Sequence, residues 1–348
     1  MRVLIVKLSS LGDVVHAMPV VHDIRSAFPA AQIDWVVEPG FAPLVRRVEG
    51  VADVIECALR RWSRAWWTRA VHAEWWAFRT RLQSRAYDAV LDLQGLTKSA
   101  LIARLAHGVS HGLANRTDGA SFEAPARWLV DHAIPIEPRI HALDRSRRLA
   151  GRALGYAVQG APHFGLRATP AAQAAVAAAH EGTPTLVFVH GTSRDDKLWP
   201  EANWIELGHR AMREGWRIAL PHAGSAERER AQRIASAIGA GVAGTAGTAG
   251  TVQVWPAMSL DALVDRLGAT QGVIGVDSGL SHIAVALDLP HVQVYNWPTA
   301  WRTGPLVAHG HRHQVSVGPA PDSAGGPAAT PSVEAVWAAW SQVHKAAR

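Results

Sequence analysis

A short apolar run that breaks into a small-residue turn and then a helix constrains this chain more than anything else in it, because the pattern occurs twice. Arg2–Val6 reads as a buried strand, Lys7-Leu8-Ser9-Ser10-Leu11-Gly12-Asp13 turns the chain, and residues 14–28 read as a helix. Much later Gly272–Val276 reads as a strand, Asp277-Ser278-Gly279-Leu280-Ser281-His282 follows, and a helix runs to residue 287. A strand, a turn and a helix in this order leave backbone N–H groups free at a crevice, where the positive helix end favours anions. Two such units, one in each half, predict two nucleotide-fold domains facing one central cleft. Asp13, an acid at the mouth of the first turn, is well sited to accept a proton.

The stretches between agree with a parallel α/β architecture. Residues 33–37, 89–93, 185–189, 216–220 and 291–295 are strand candidates, and residues 98–105, 201–214 and 226–238 are helix candidates. A length of 348 residues suggests two domains, expected at 1–165 and 166–330. The segment 155–184 is a plausible linker carrying an alanine-rich helix over 170–180. Val333, Val336, Trp337, Trp340 and Val343 fall at helical spacing. They predict a C-terminal helix within 331–348, expected to dock across the domain junction, although packing on its own domain fits the pattern equally well.

Several chemistries are excluded. Cys57 is the sole cysteine, so no intrachain disulfide framework exists. No stretch approaches the ~18 apolar residues of a spanning helix, and the apolar run at residues 3–6 is far too short for a signal peptide core; a soluble cytoplasmic protein is expected. Gly239-Ala240-Gly241-Val242-Ala243-Gly244 matches a dinucleotide fingerprint by letter, but it follows a helix instead of a strand and leads into the GTAGTAGT loop at residues 244–251. A P-loop is absent, and so is any Asp-x-Asp pair of the kind that holds a diphosphate through a metal. No metal or cofactor is therefore expected. Phosphates would be met by the N–H groups and hydroxyl of Ser278 and Gly279 and by Thr192, Ser193 and Lys197, which lie beyond a strand end. Thr192 and Ser193 also suit ordinary turn capping. Asp277 suits a cap for the helix starting at Gly279, and His282 is either a donor to phosphate or a packed histidine.

The charge balance is basic, with Lys+Arg 35 against Asp+Glu 29, and the excess is concentrated. Between residues 58 and 85 stand seven arginines (Arg60, Arg61, Arg64, Arg69, Arg79, Arg81, Arg85) against one acid, Glu74, interleaved with Trp62, Trp66, Trp67, Trp75 and Trp76. That mixture suits an anionic partner with an apolar body or a nucleic acid. It equally suits a solvated helix face with tryptophans turned into the core.

Taken in order, the stretches RVLIVKLSSLGDVVHAMP, IDWVVEPGF, LRRWSRAWW, YDAVLDLQGLTKSAL, RLAHGVSHG, HGTSRDDKLWP, GSAERERA, PAMSL and GVDSGLSHIAVALDLP resemble the ADP-heptose:lipopolysaccharide heptosyltransferases, the type I branch most closely. The resemblance runs from Met1 to the C-terminal helix. It implies a GT-B fold and inverting transfer of L-glycero-D-manno-heptose from ADP-heptose to the Kdo of lipid A. That reaction would take place at the anionic inner face of the inner membrane, with no nucleic acid partner. It implies Asp13 as catalytic base, assisted by Lys197. On the donor side it implies Thr192, Ser193, Lys197, Glu227 (ribose), Met258 (adenine), Asp277, Ser278, Gly279 and His282. On the acceptor side it implies Ser10, Gly12, Arg60, Arg61, Arg64 and Lys98. A type II enzyme acting on a heptosylated acceptor, and a nucleotide-sugar binder without turnover, are the alternatives. Two departures stand out. The GTAGTAGT insert lies shortly before Met258, and Tyr295-Asn296-Trp297-Pro298-Thr299 stands where the family has a Gly-Pro-Thr turn.

Overall fold

A computed structural model describes residues 1–172, 174, 183–242, 251–306, 309–310, 312–321 and 330–347. The chain divides into two compact units, Met1–Arg167 and Ala168–Arg348. Most of the alanine-rich helix expected at 170–180 and nearly all of the GTAGTAGT insert fall outside the described residues.

In the first unit the strands are β1 (Arg2–Val6), β2 (Gln32–Val37), β3 (Val51–Glu56), β4 (Ala89–Asp92), β5 (Ser110–Leu113) and β6 (His132–Ile134). The helices are α1 (Leu11–Ala17), α2 (Pro19–Ala27), α3 (Ala42–Val45), α4 (Leu59–Trp62), α5 (Arg69–Gln83), α6 (Thr97–Leu105), α7 (Ala126–Leu129) and α8 (Ala142–Leu154). Among the described residues the strands form one sheet in the order β3-β2-β1-β4-β5-β6, every pairing parallel. β1 is buried because its run Val3 to Val6 is apolar on both faces, as a central parallel strand requires. The single helix expected over 14–28 is two. Pro19 stands at the first position of α2, where its missing N–H costs nothing, and the chain divides at Met18.

The second unit repeats the plan. Its strands are β7 (Thr185–Val189), β8 (Arg217–Leu220), β9 (Val252–Val254), β10 (Gly272–Val276), β11 (His291–Val294) and β12 (Gln314–Val317). Its helices are α9 (Glu201–Arg213), α10 (Ser225–Val242), α11 (Leu260–Gly268), α12 (Gly279–Ala286), α13 (Ala300–Thr303) and α14 (Val333–Ala346). The parallel order β12-β11-β10-β7-β8-β9 is the same 3-2-1-4-5-6 winding as in the first unit. Gly239 and Gly241 lie inside α10, so the described part of the fingerprint match, residues 239–242, is helix and not a turn after a strand.

α14 uses its apolar face within its own unit. Val333, Val336, Trp337, Trp340 and Val343 join the core formed by Phe188, Trp204, Trp216 and Ile274. Trp340 lies so close over β10 that a Cβ on Gly272 would meet its ring at 2.2 Å. Trp337 Nε1 donates to Glu214 Oε1 at 3.1 Å. Of the two packings that the apolar pattern allowed, at a domain junction or on its own domain, the stripe with its two tryptophans makes the second, against the sheet beside it.

Candidate active site

In a doubly wound sheet the crevice for a ligand opens beyond the carboxyl ends of the strands, where the winding reverses. The first unit reverses between β1 and β4, and the two exits are laced together. Leu8 N–H and Ser9 N–H both donate to Gln94 Oε1, at 2.9 and 3.2 Å, and Gln94 Nε2 donates back to Ser9 O at 2.7 Å. Gly95 holds φ +78 in this turn, a conformation that suits glycine.

Asp13 sits in the first turn of α1. Its Oδ2 accepts the Ser10 hydroxyl at 2.8 Å and the Ser10 N–H at 3.2 Å, closing a capping box. Its Oδ1 faces two cations, Lys7 Nζ at 3.6 Å and Arg145 Nη2 at 3.8 Å. The Asp13 side chain remains 40% exposed, whereas Lys7 is 2% exposed. Desolvation pushes the Asp13 carboxyl up, but Lys7 and then Arg145 outweigh it and hold the group well below the usual carboxylate range. Burial pulls Lys7 down against the pull of Asp13. Behind them Asp92 is fully buried; it accepts the N–H groups of Gln94 and Gly95 and the Ser99 hydroxyl, and burial pushes its pKa up to about 6. Gly12 belongs to the same turn, and Lys98 is exposed at the amino end of α6, past the β4 exit.

The basic stretch follows β3. Arg60 and Arg64 are exposed, and Arg60 N–H donates to Glu38 Oε1 at 3.1 Å. Arg61 forks onto Glu74, which also accepts Trp62 Nε1 at 2.8 Å. The tryptophans divide. Trp62 is buried and meets Trp75 edge-on, while Trp66 and Trp67, each 66% exposed, and Trp76, 56% exposed, face solvent.

The second unit reverses between β7 and β10, and there Asp277 is the hub. Lys197 Nζ donates to Asp277 Oδ2 at 2.6 Å, His282 Nε2 lies 3.3 Å from Oδ1, and the Thr192 hydroxyl donates to Asp277 O at 3.0 Å. Desolvation pushes the Asp277 carboxyl up, but His282 and Lys197 outweigh it and leave it well below the ordinary value. Asp277 is not the cap of α12: Ser278 takes the N-cap position, without a side-chain capping bond, and the Asp277 carboxylate is engaged by Lys197 and His282. Gly279 and the next residues thus open a helix whose first turn faces the crevice. Ser193 lies exposed in the loop beyond β7. Glu227, in the first turn of α10, accepts Ala223 N–H at 2.7 Å and lies so close to Gly191 that a Cβ there would meet its carboxyl at 2.7 Å. Met258 is half-buried beyond β9.

The model of glycosyltransferase family 9 (heptosyltransferase) matches residues 75–323. The chain belongs to glycosyltransferase family 9. Lipopolysaccharide heptosyltransferase 1 of Escherichia coli strain K12 is 42% identical over 303 residues, which cover 85% of this chain and 88% of that protein. The solved structure of the E. coli heptosyltransferase WaaC with ADP is 37% identical, covers 99% of this chain and 100% of its own, and superposes with a TM-score of 0.79. The WaaC structure with ADP-2-deoxy-2-fluoro heptose gives a TM-score of 0.76 at 37% identity, over 97% of this chain and 98% of that one. The fold is GT-B, and the chain is a heptosyltransferase of lipopolysaccharide core synthesis similar to type I enzymes.

In this heptosyltransferase the structure adds residues that sequence reading passed over. Lys7 and Arg145 flank Asp13, and Asp92 sits behind Lys7. Arg145 lies in α8, whose run Ala142–Leu154 alternates arginines with apolar residues on a strongly two-sided helix. That periodicity was the available signal, but arginines at such positions ordinarily face water. Among the described residues, no helix is long and apolar enough to cross a membrane.

Proposed function

We propose that this heptosyltransferase moves L-glycero-D-manno-heptose from ADP-heptose to a Kdo hydroxyl of lipid A with inversion, and that Asp13 is the general base. The observation that carries the reading is the Asp13 carboxylate, half-exposed at the β1 exit and held ionised by Lys7 and Arg145. In the proposed step the Kdo oxygen attacks the anomeric carbon from the face opposite ADP. The bond from that carbon to the β-phosphate oxygen breaks with its electron pair leaving on ADP, and the hydroxyl proton passes to Asp13. A carboxylate held this strongly ionised is a weak base. Proton transfer therefore comes late, after an oxocarbenium-like centre has made the attacking hydroxyl acidic, as in glycoside hydrolysis.

The donor reading rests on strand order. The exits of β10, β7, β8 and β9 lie side by side and offer, in sequence, Asp277, Ser278, Gly279 and His282; then Thr192, Ser193 and Lys197; then Glu227; then Met258. This succession suits sugar and phosphate, diphosphate, ribose and adenine in turn. Lys197 and the α12 amino end would take up the negative charge growing on the departing diphosphate. The likeness to WaaC, solved with ADP and with a fluoro-heptose analogue, supports the same donor.

On the acceptor side, Arg60, Arg61, Arg64 and Lys98, with the turn at Ser10 and Gly12, are suited to the carboxylates and phosphates of Kdo-lipid A. Trp66, Trp67 and Trp76 beside Arg60, Arg64, Arg69 and Arg79 suit peripheral contact with an anionic inner-membrane surface, since tryptophan favours the headgroup layer and arginine anionic lipid. Arg79 lies over the Trp76 ring, 5.1 Å from its centroid.

The experiment is ADP release on mixing the enzyme with ADP-heptose and Kdo-lipid A, followed by the mass of the product. Addition of one heptose to the Kdo acceptor supports the proposal. Release only with an already heptosylated acceptor, or donor binding without turnover, contradicts it.

A further inference from the structure

The segment after β11 departs from the turn that the family resemblance implies, and it holds the loop that carries Lys197. Asn296 Nδ2 donates to Leu198 O at 2.8 Å and to Asp196 O at 3.3 Å, and Trp297 Nε1 donates to the same Asp196 O at 3.1 Å. These two carbonyls stand on either side of Lys197. Asp195–Lys197 is a single 3-10 turn, closed by the backbone bonds Lys197 N–H to Arg194 O at 3.1 Å and Leu198 N–H to Asp195 O at 3.0 Å. The carboxylate of Asp196 is engaged by Arg194 inside the same loop, so it ties the turn to no neighbouring strand exit. Lys197 is a flexible four-carbon side chain on a short turn, and its ammonium nevertheless meets Asp277 at 2.6 Å.

The same segment reaches the other member of that ion pair. Tyr295, fully packed at the end of β11, places its hydroxyl 3.1 Å from Thr303 Oγ1, and Thr303 donates to Asp277 Oδ1 at 3.5 Å. Residues 295–303 therefore touch the backbone on both sides of the lysine and the carboxylate it binds. Asn296 Oδ1 is buried without a hydrogen-bond partner among the described residues. A purely space-filling residue would avoid that cost, whereas the amide is retained in a place where both of its working bonds go to the Lys197 loop.

We propose that Asn296 and Trp297 are positioning residues that fix Lys197 for the donor diphosphate. The inference rests on the reading of Lys197 given under Proposed function. A flexible ammonium aids a departing phosphate only if it is already in place when charge develops, and the two side chains supply that preorganisation from a neighbouring strand exit.

The test is a double-mutant cycle on the full chain with ADP-heptose and Kdo-lipid A. Trp297→Phe removes the N–H and keeps an aromatic, though smaller, ring; Asn296→Ala is the second variant, and each is combined with Lys197→Ala. The expected result is a roughly tenfold fall in donor kcat/KM for each single variant, with acceptor KM and melting temperature unchanged. In the Lys197→Ala background the same substitutions should change donor kcat/KM by less than about twofold, because interacting residues are not additive. A full additional loss in that background, or wild-type kinetics for Trp297→Phe, overturns the positioning role while leaving the lysine's role intact. A Lys197→Ala enzyme with normal donor kinetics overturns the lysine reading and this inference with it.

Discussion

Lys7 Nζ lies 3.6 Å from Asp13 Oδ1, on a side chain that is only 2% exposed. The ammonium also donates to Leu93 O at 3.0 Å, so the lysine is fixed by the carbonyl just past β4 and directed at the carboxylate from the protein side. Water reaches Asp13 from the other side. This asymmetry lets the group stay ionised and still meet a substrate.

Lys7→Met should therefore act on the pH profile more than on the fold. With one of its two cations gone, the Asp13 carboxyl rises, and the acid limb of the kcat/KM profile moves toward neutral pH. Because solvent screens the half-exposed carboxylate, the stability loss should be about 1–2 kcal/mol, below the ~3–5 of a fully buried pair. A pH–rate series with matched thermal melts checks both. An acid limb that stays in place removes Lys7 from control of Asp13.

Lys197→Ala should raise donor KM and lower kcat by about 10²–10³, the usual cost of losing one preorganised donor at a developing charge. Calorimetric titration with ADP alongside steady-state kinetics is the measurement. A variant that melts earlier but binds and turns over normally would make the lysine structural.

His291 and His190 should make the protein acid-sensitive. His291 is fully buried on β11 with Nδ1 donating to Val273 O at 2.9 Å, and burial pushes its pKa down to about 4; burial and Arg230 do the same to His190. An unfolded histidine titrates near 6.5, so between about 6.5 and 4 the unfolded chain binds the extra protons and stability is lost as pH falls, by up to about 1.4 kcal/mol per pH unit for each group. Asp92, raised to about 6, works in the opposite direction over about 4 to 6 and offsets one of the two. His291→Gln should flatten the fall in urea midpoint between pH 6.5 and 4. An unaltered slope would show that the imidazole is not the group being protonated.

Replacing Trp66, Trp67 and Trp76 together by serine should abolish co-sedimentation with vesicles containing phosphatidylglycerol and leave melting unchanged, since all three rings face solvent. Undiminished vesicle binding would move the membrane contact elsewhere on the molecule.

Much of the fold was legible because β1, β7 and β10 are uninterrupted apolar runs followed at once by small polar turns, and their limits match the sequence reading. β5, Ser-His-Gly-Leu, and β12, Gln-Val-Ser-Val, are short and polar, and only their neighbours in the sheet make them strands. The division of α1 from α2 was written in Pro19, but apolar spacing runs through it. The tryptophan-rich stretch followed neither simple reading: Val71, Phe78 and Leu82 set the inner face of α5, so Trp75 turns partly inward and Trp76 outward. Lys7 and Arg145 were hidden because buried cations look in sequence like surface ones. Asn296 and Trp297 read as a departure from the family; the bonds they make to the Lys197 loop become visible only once β7 and β10–β11 are neighbours.

The most direct measurement is single-turnover ADP release by Asp13→Asn with ADP-heptose and Kdo-lipid A, beside a donor-affinity titration. The account predicts a loss of about 10²–10⁴ in rate with donor affinity essentially retained. Near-normal turnover, or a loss that tracks weakened donor binding, would contradict Asp13 as the base.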